Sequence, residues 1–97
     1  MNRISLAGQS LFNASAAALN ISALNTANLQ TDGYRARRVA FYSTPGGVNA
    51  AITEDVNPPD LATERLTQLK STQLSQAGTK LIRTEDEMLG ELFDQWA

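Results

Sequence analysis

Small and apolar residues recur at steps of three and four over the first third of the chain, a pattern that predicts a helix over residues 4–30. No side chain between Ile4 and Thr31 is charged. One face carries Ile4, Gly8, Leu11, Phe12, Ser15, Ala16, Leu19, Ala23 and Ala27, and other faces carry Leu6, Ala17, Ile21 and Leu24. A chain of 97 residues has too little protein to surround such a helix, so other molecules are expected to cover part of it. We therefore expect exposed apolar residues among Leu6, Ile21 and Leu24; the alternative is a helix end that frays.

Alternating residues on either side of a Pro-Gly pair predict a β-hairpin over residues 34–56. Its turn is the segment 44–47. The register that this turn sets is Ser43 with Val48, Phe41 with Ala50, Val39 with Ile52 and Arg37 with Glu54. This register places the apolar residues of both strands on one face and an opposite-charge pair at the open end. Two strands alone are marginal in water, so this face needs a cover.

A second helix is predicted over residues 60–94. The prolines at 58 and 59 stop the strand, and Asp60 is suited to cap the helix, with Glu64 in the first turn. Apolar residues at mixed steps of three and four then form a stripe typical of a helix–helix seam. This C-terminal stripe is Leu66, Leu69, Gln73, Ala77, Leu81, Thr84, Met88, Leu92 and Trp96, widened by Ile82, Leu89 and Phe93.

These elements predict a mainly α fold with two long terminal helices packed antiparallel, in the manner of a coiled coil, and joined by a β-hairpin. We expect one domain over residues 1–97. Its parts are the N-terminal helix and its closing turn at 1–32, the hairpin at 33–58 and the C-terminal helix at 59–97.

Composition narrows the possible functions. The chain has neither cysteine nor histidine, which removes disulfides, thiol nucleophiles and the commonest metal ligands. Its net charge of −2 argues against nucleic acid as a partner. No apolar run approaches the roughly 18 residues of a membrane span, and the apolar run near the start is too short for a convincing cleaved signal. We expect no cofactor and no bound metal.

The candidate chemical groups have simpler explanations. Three serines in the first helix, Ser10, Ser15 and Ser22, have no base to activate them. The arginines at 35, 37 and 38 suggest a strand in solvent, paired with Glu54 and Asp55, more than a phosphate or peptidoglycan contact. The acidic residues between 85 and 94 point in different directions on a helix, so we expect them to face solvent. Trp96 is either a binding anchor or a cap on the helix seam. The sequence therefore predicts no catalytic residue.

The end of the first helix carries an informative motif over residues 19–34, LNISALNTANLQTDGY. It resembles the N-terminal pattern L-D-V-x-A-N-N-I-A-N-x-x-T-P-G-Y of the flagellar rod and hook axial proteins. The matching residues are Leu19, Ala23, Asn25, Ala27, Asn28, Thr31, Gly33 and Tyr34. The chain departs from the pattern at Leu24, Thr26 and Asp32. Independently of the resemblance, the asparagine amides are suited to binding carbonyls at a helix end, and Gly33 to a turn.

A second resemblance to the same family lies in the C-terminal helix. The segment 60–64, DLATE, is similar to the family's D-L-x-x-E, and the segment 80–90, KLIRTEDEMLG, closely resembles its K-V-I-x-T-x-D-E-M-L-G. The segment 73–79 lacks the aromatic residue and the asparagine that the family often has there. The two matches stand in family order at opposite ends of the chain and cover roughly half to two-thirds of it.

The resemblance implies a structural subunit of the bacterial flagellar basal-body rod that is not an enzyme. It further implies export from the cytoplasm through the flagellar type III apparatus without a cleaved signal, and assembly with copies of itself and other rod or hook proteins. The assembly interface that we expect consists of Leu11, Leu19, Leu24, Asn25, Asn28, Gly33, Tyr34, Leu81, Met88 and Leu92. Because most relatives carry a further β domain between the helices, the alternative is a soluble helical adaptor or secretion-associated protein outside the tube.

Overall fold

The computed structural model describes the backbone of residues 3–96 and the side chains of residues 4–95. Its elements, in chain order, are helix α1 at Arg3–Ala27, strand β1 at Arg37–Thr44, strand β2 at Gly47–Glu54 and helix α2 at Leu61–Trp96. The predicted order of helix, hairpin and helix is confirmed. Helix α1 ends three residues earlier than predicted, because the backbone from Asn28 onward enters a series of turns. None of these helices is long and apolar enough, within residues 3–96, to cross a membrane.

The two helices pack antiparallel along the long axis of a molecule that measures 64 × 23 × 13 Å. Ser22 near the end of α1 meets Glu64 near the start of α2, and Gly8 near the start of α1 meets Gly78. With 36 residues against 25, α2 is the longer helix. Its last two to three turns therefore extend past the described part of α1, and the side chains of residues 86–95 are exposed.

Small and polar residues form the seam between the helices. On α2 the most buried positions are seven residues apart, at Glu64, Ser71, Gly78 and Glu85. The matching heptad positions of α1 are Gly8, Ser15 and Ser22. Heptad spacing on both helices is the geometry of coiled-coil packing.

The prediction that the C-terminal stripe packs against α1 is wrong. Leu66 is 52% exposed and Met88 is 49% exposed, and Leu69, Leu81 and Leu92 are exposed as well. Most of the stripe lies beside the seam or on the back of α2, and only Leu81 and Ile82 reach the crossing at Gly8. The apolar face predicted for α1 is not the face that packs against α2 throughout, since Phe12 and Leu19 on it are exposed. The side chain of Trp96, which ends the predicted stripe, lies outside the described residues.

Two glycines explain why small residues hold the seam. A Cβ built on Gly8 would stand 2.7 Å from the backbone oxygen of Gly78, and a Cβ on Gly78 would stand 2.7 Å from the backbone oxygen of Gly8. The helix backbones therefore touch at this crossing, which only glycine permits. So close an approach leaves no room for leucines between the helices and keeps them outside.

The hairpin has the predicted register at every pair. Ser43 lies opposite Val48 and Arg37 lies opposite Glu54, with Thr44 and Gly47 forming the last pair before the turn. The sheet packs against α1, which covers Val48 and Ala50 in part but leaves Phe41 and Ile52 on the same predicted face exposed. At its base, Ala36 is fully buried and continues the pairing through backbone bonds to Asp55 and Asn57.

The hairpin also decides which apolar residues of α1 are exposed. Leu6 and Leu24 are exposed, as expected, but Ile21 is buried, so that part of the prediction is wrong. Ile21 lies with Ala18 and Val39 around a small cavity between α1 and β1. It is buried because the hairpin folds back over this face of α1.

The start of α2 is capped as predicted. A carboxylate oxygen of Asp60 accepts hydrogen bonds from the backbone N–H and the hydroxyl of Thr63, at 3.2 and 3.1 Å. The Asp60 backbone carbonyl accepts the N–H of Glu64 at 2.9 Å. An N-cap of this kind satisfies donors that the first helical turn leaves free, and it places Glu64 one turn into α2.

Candidate assembly site

A buried carboxylate, Glu64, lies where the two helices and the hairpin meet. Its side chain is fully buried. Oε1 accepts hydrogen bonds from the Ser22 hydroxyl at 2.9 Å and from the Asn25 amide at 3.0 Å, and Oε2 accepts one from Arg38 Nη1 at 2.6 Å. Burying a charge is costly unless it is paired and hydrogen-bonded, and Glu64 meets both conditions. We call Ser22, Asn25, Arg38 and Glu64 the polar joint.

Asn25 connects this joint to the hairpin. Its Nδ2 donates to the backbone carbonyl of Arg37 at 2.7 Å, and its Oδ1 accepts the backbone N–H of Arg37 at 3.0 Å. The amide therefore bonds both backbone groups of one strand residue, as a neighbouring strand would. A fully buried asparagine with all these bonds fixes the start of β1 against the end of α1.

Arg38 contacts one acid that the sequence led us to expect, Asp55, and one that it did not, Glu64. Its guanidinium bonds mainly to Glu64, and its Nε lies 3.9 Å from a carboxylate oxygen of Asp55. The pairing with Asp55 is thus confirmed as the longer of two contacts. The contact with Glu64 was missed, because residues 26 positions apart in sequence meet only through the tertiary fold.

The remaining motif residues build the end of α1. The Asn28 amide donates to the Leu24 carbonyl at 2.8 Å, and Asn28 Oδ1 accepts the Thr31 hydroxyl at 3.1 Å. Gly33 has φ = 77°, a left-handed conformation that glycine adopts without strain. The backbone N–H of Tyr34 then donates to the Thr31 carbonyl at 3.2 Å. The predicted helix stop is confirmed, and the side chains of Asn28 and Thr31 bond within the turn.

Ser10 holds the other end of the hairpin, and the sequence did not identify it. Its hydroxyl oxygen accepts the backbone N–H of Val48 at 3.0 Å and lies 2.9 Å from the Ala7 carbonyl, to which it donates. A Cβ on Gly47 would collide with this oxygen, so glycine is required beside it. The hairpin is thus fastened to α1 at its tip by Ser10 and at its base by Asn25. A serine and an Asn at 15-residue spacing give no local signal of such a role.

The expected interface residues divide into two groups. Asn25 is buried in the polar joint, Leu11 and Asn28 are half-buried, and Gly33 and Tyr34 form the turn after α1. The structure therefore brings Asn25, Asn28, Gly33 and Tyr34 together as an internal joint. The second group of expected interface residues is apolar and exposed, and it consists of Leu19, Leu24, Leu81, Met88 and Leu92. These lie on both helices and remain available to a partner.

One acidic residue departs from the expectation that all of them face solvent. Glu85 is only 4% exposed and lies on the packed face of α2, in heptad spacing with Gly78. Asp86, Glu87, Glu91 and Asp94 are exposed, as expected. Within residues 3–96 no group of three or more acidic side chains is arranged to hold a metal ion.

The cavity beside the joint is small. It has a volume of about 90 Å³ and is lined by residues of α1, β1 and α2, Glu64 and Asn25 among them. A water molecule occupies roughly 30 Å³ in the liquid, so the space suits a few waters rather than an organic ligand. Four of the side chains that line it, those of the polar joint, already bond one another.

Together these features define a helix–hairpin–helix protein with a buried polar joint and apolar residues on its outer surface. Comparison of the sequence with protein-family models found no match, and comparison with curated proteins found none.

Proposed function

We propose that this protein is a structural subunit of the bacterial flagellar basal-body rod, which assembles through its N- and C-terminal helices. The proposal begins from the two sequence motifs that resemble those of the axial proteins, at residues 19–34 and 80–90. The internal use of the first motif supports it, since Asn25, Asn28 and Gly33 fix the geometry between helix and hairpin. A subunit that repeats in a tube needs such a rigid joint.

The observation that carries the proposal is the exposure of the C-terminal stripe on the surface of α2. Leu66, Leu69, Leu81, Met88 and Leu92 are all exposed along one long helix. Exposed apolar surface of this extent marks an interaction site in a soluble chain. It favours a protein that functions by association over one that acts on a small substrate.

The proposed subunit has other rod and hook proteins and its own copies as partners. It reaches the periplasmic rod through the flagellar export apparatus, without a cleaved signal, and it has no enzymatic activity. These features follow from the resemblance to the axial proteins, and the experiment below tests their central element, assembly into the basal body.

The test is complementation of motility in a strain that lacks the gene, with export measured separately. Leu81→Asp places a carboxylate in the exposed stripe, and we expect loss of motility with normal export, because a charge that becomes buried at an interface without a partner is costly. Asp94→Asn, which also changes an exposed acidic side chain of α2 outside the stripe, is the matched control and should swim almost normally. Normal swimming by Leu81→Asp would remove the mechanism.

One feature favours the alternative of a soluble adaptor related to the axial proteins. Only a two-stranded hairpin stands between the helices, where most axial proteins have a further β domain. Purified basal bodies distinguish the two functions: a rod subunit is present in many copies, whereas an adaptor is absent or present in a few.

A further inference from the structure

Beyond the buried Glu64, the charges of helix α2 form two blocks. From Arg65 to Arg83 all four charged residues are basic, with Lys70 and Lys80 between them. From Glu85 to Asp94 all five charged residues are acidic. The boundary between the blocks lies at Thr84.

The C-terminal stripe crosses this boundary without interruption. Ala77, Leu81, Thr84, Met88 and Leu92 follow one another at steps of three and four and are all exposed. Thr84 stands at the middle of this set, so the exposed face is nearly symmetric about the residue where the charge changes sign. Helix α1 partly covers Leu81, which is 38% exposed, while Met88 and Leu92 are about half exposed.

We propose that this face binds the same face of a second copy of the chain, as an antiparallel α2–α2 dimer centred on Thr84. The occupant is identified by charge. In an antiparallel pair Lys80 and Arg83, the last two residues of the basic block, lie against the acidic block of the other copy on both sides of the centre, while Arg65 and Lys70 lie beyond the overlap. A parallel pair would set acidic against acidic and basic against basic, which is repulsive.

The same alignment fits the apolar residues. A register that places Leu81 against Met88 of the second copy also places Ala77 against Leu92 of the second copy. Lys80 then lies between Glu87 and Glu91 of the second copy. The overlap from residue 74 to residue 95 is about 33 Å long. An isologous contact of this kind uses one surface patch twice and closes at two copies.

Cross-linking tests the alignment, because the chain has no cysteine and each introduced thiol is the only one. Thr84→Cys should form a disulfide-linked dimer under mild oxidation. Leu92→Cys alone should not, but a mixture of the Ala77→Cys and Leu92→Cys chains should link to each other. Self-linking of Leu92→Cys without linking to Ala77→Cys would show a parallel pair and overturn the proposal.

Sedimentation equilibrium tests the charges. The 10.5-kDa chain should dimerise, more weakly as salt shortens the range of the electrostatic attraction. Lys80→Glu should weaken the dimer about tenfold, because two symmetric contacts are lost. Adding Glu87→Lys to Lys80→Glu should restore it, which a variant that merely misfolds cannot do.

A wild-type chain that stays monomeric up to about 500 µM, well above the dissociation constants of ordinary weak complexes, would refute the proposal. So would failure of the double exchange to restore the dimer while circular dichroism shows it folded. The dimer covers Leu81, Met88 and Leu92, which the proposed rod contact also uses, so it is a state of the free chain that assembly replaces. Its absence would refute the dimer and leave the rod proposal standing.

Discussion

Replacing Asn25 with alanine tests the polar joint most directly. The change removes the three hydrogen bonds of the Asn25 side chain, two to the backbone of Arg37 and one to Glu64. It leaves the backbone N–H of Arg37 without this partner and removes the shorter of two bonds to the Arg37 carbonyl, beside the fully buried carboxylate of Glu64. A buried polar group left unsatisfied costs about 1–3 kcal/mol, and water that enters the cavity created by the change recovers part of this. We expect a loss of about 3–4 kcal/mol in the free energy of unfolding.

The matched control is Asn28→Ala, in the same motif. Asn28 is half-buried and bonds only to its neighbours, the Leu24 carbonyl and the Thr31 hydroxyl. Its replacement should cost about 0.5–1.5 kcal/mol. Urea unfolding followed by far-UV circular dichroism measures both values. Since domains are stable by only about 5–15 kcal/mol, the Asn25 variant should lose a large fraction of the stability of the chain.

The loss of protection in the Asn25 variant should begin at the start of β1. Amide hydrogen exchange should rise first at Arg37 and along β1, because the side chain that holds the strand is gone. If Asn25→Ala proves as stable as Asn28→Ala, then the bonds to Arg37 contribute little, and the account of the motif as a joint between helix and hairpin is refuted.

Further variants test the seam, the joint and the hairpin tip. Gly78→Ala should destabilise the chain, although alanine favours a helix more than glycine does, because its Cβ would meet the backbone of Gly8. Gly90→Ala has open space around it and should stabilise the chain by up to about 1 kcal/mol. Thermal unfolding measures both variants, and a stabilised Gly78→Ala would contradict the close approach of the helices. Glu64→Ala should lower the free energy of unfolding by about 3–5 kcal/mol, because it leaves Arg38 without its main partner. Glu64→Gln should lower it less. Equal losses for both variants in urea unfolding would show that the charge of Glu64 plays no part. Ser10→Ala should cost about 1 kcal/mol and accelerate hydrogen exchange at the Val48 amide, and unchanged exchange there would argue against the fastening at the tip.

Local patterns were sufficient for the elements and for the hairpin. The turn at 44–47 and the alternation of the flanking residues set the strand register, because a slip by one residue exchanges the two faces of the sheet. Asp60 and Gly33 set the start of α2 and the turn after α1 through bonds and angles within a few residues. Such features are readable from the sequence because each depends on its immediate neighbours.

The face of α2 that packs against α1 was decided only by the tertiary structure. The apolar stripe indicated Leu66, Leu81 and Met88, but the fold buries Glu64 and Gly78 in their place. Hydrophobic periodicity assumes that the most apolar face is covered within the same chain. Here the bonds to Glu64 and the contact of two glycine backbones select another face, and these depend on groups brought together from opposite ends of the sequence. The sequence by itself therefore determined the helices, the hairpin and the turn between them, while the fold alone decided that the leucines remain on the outside.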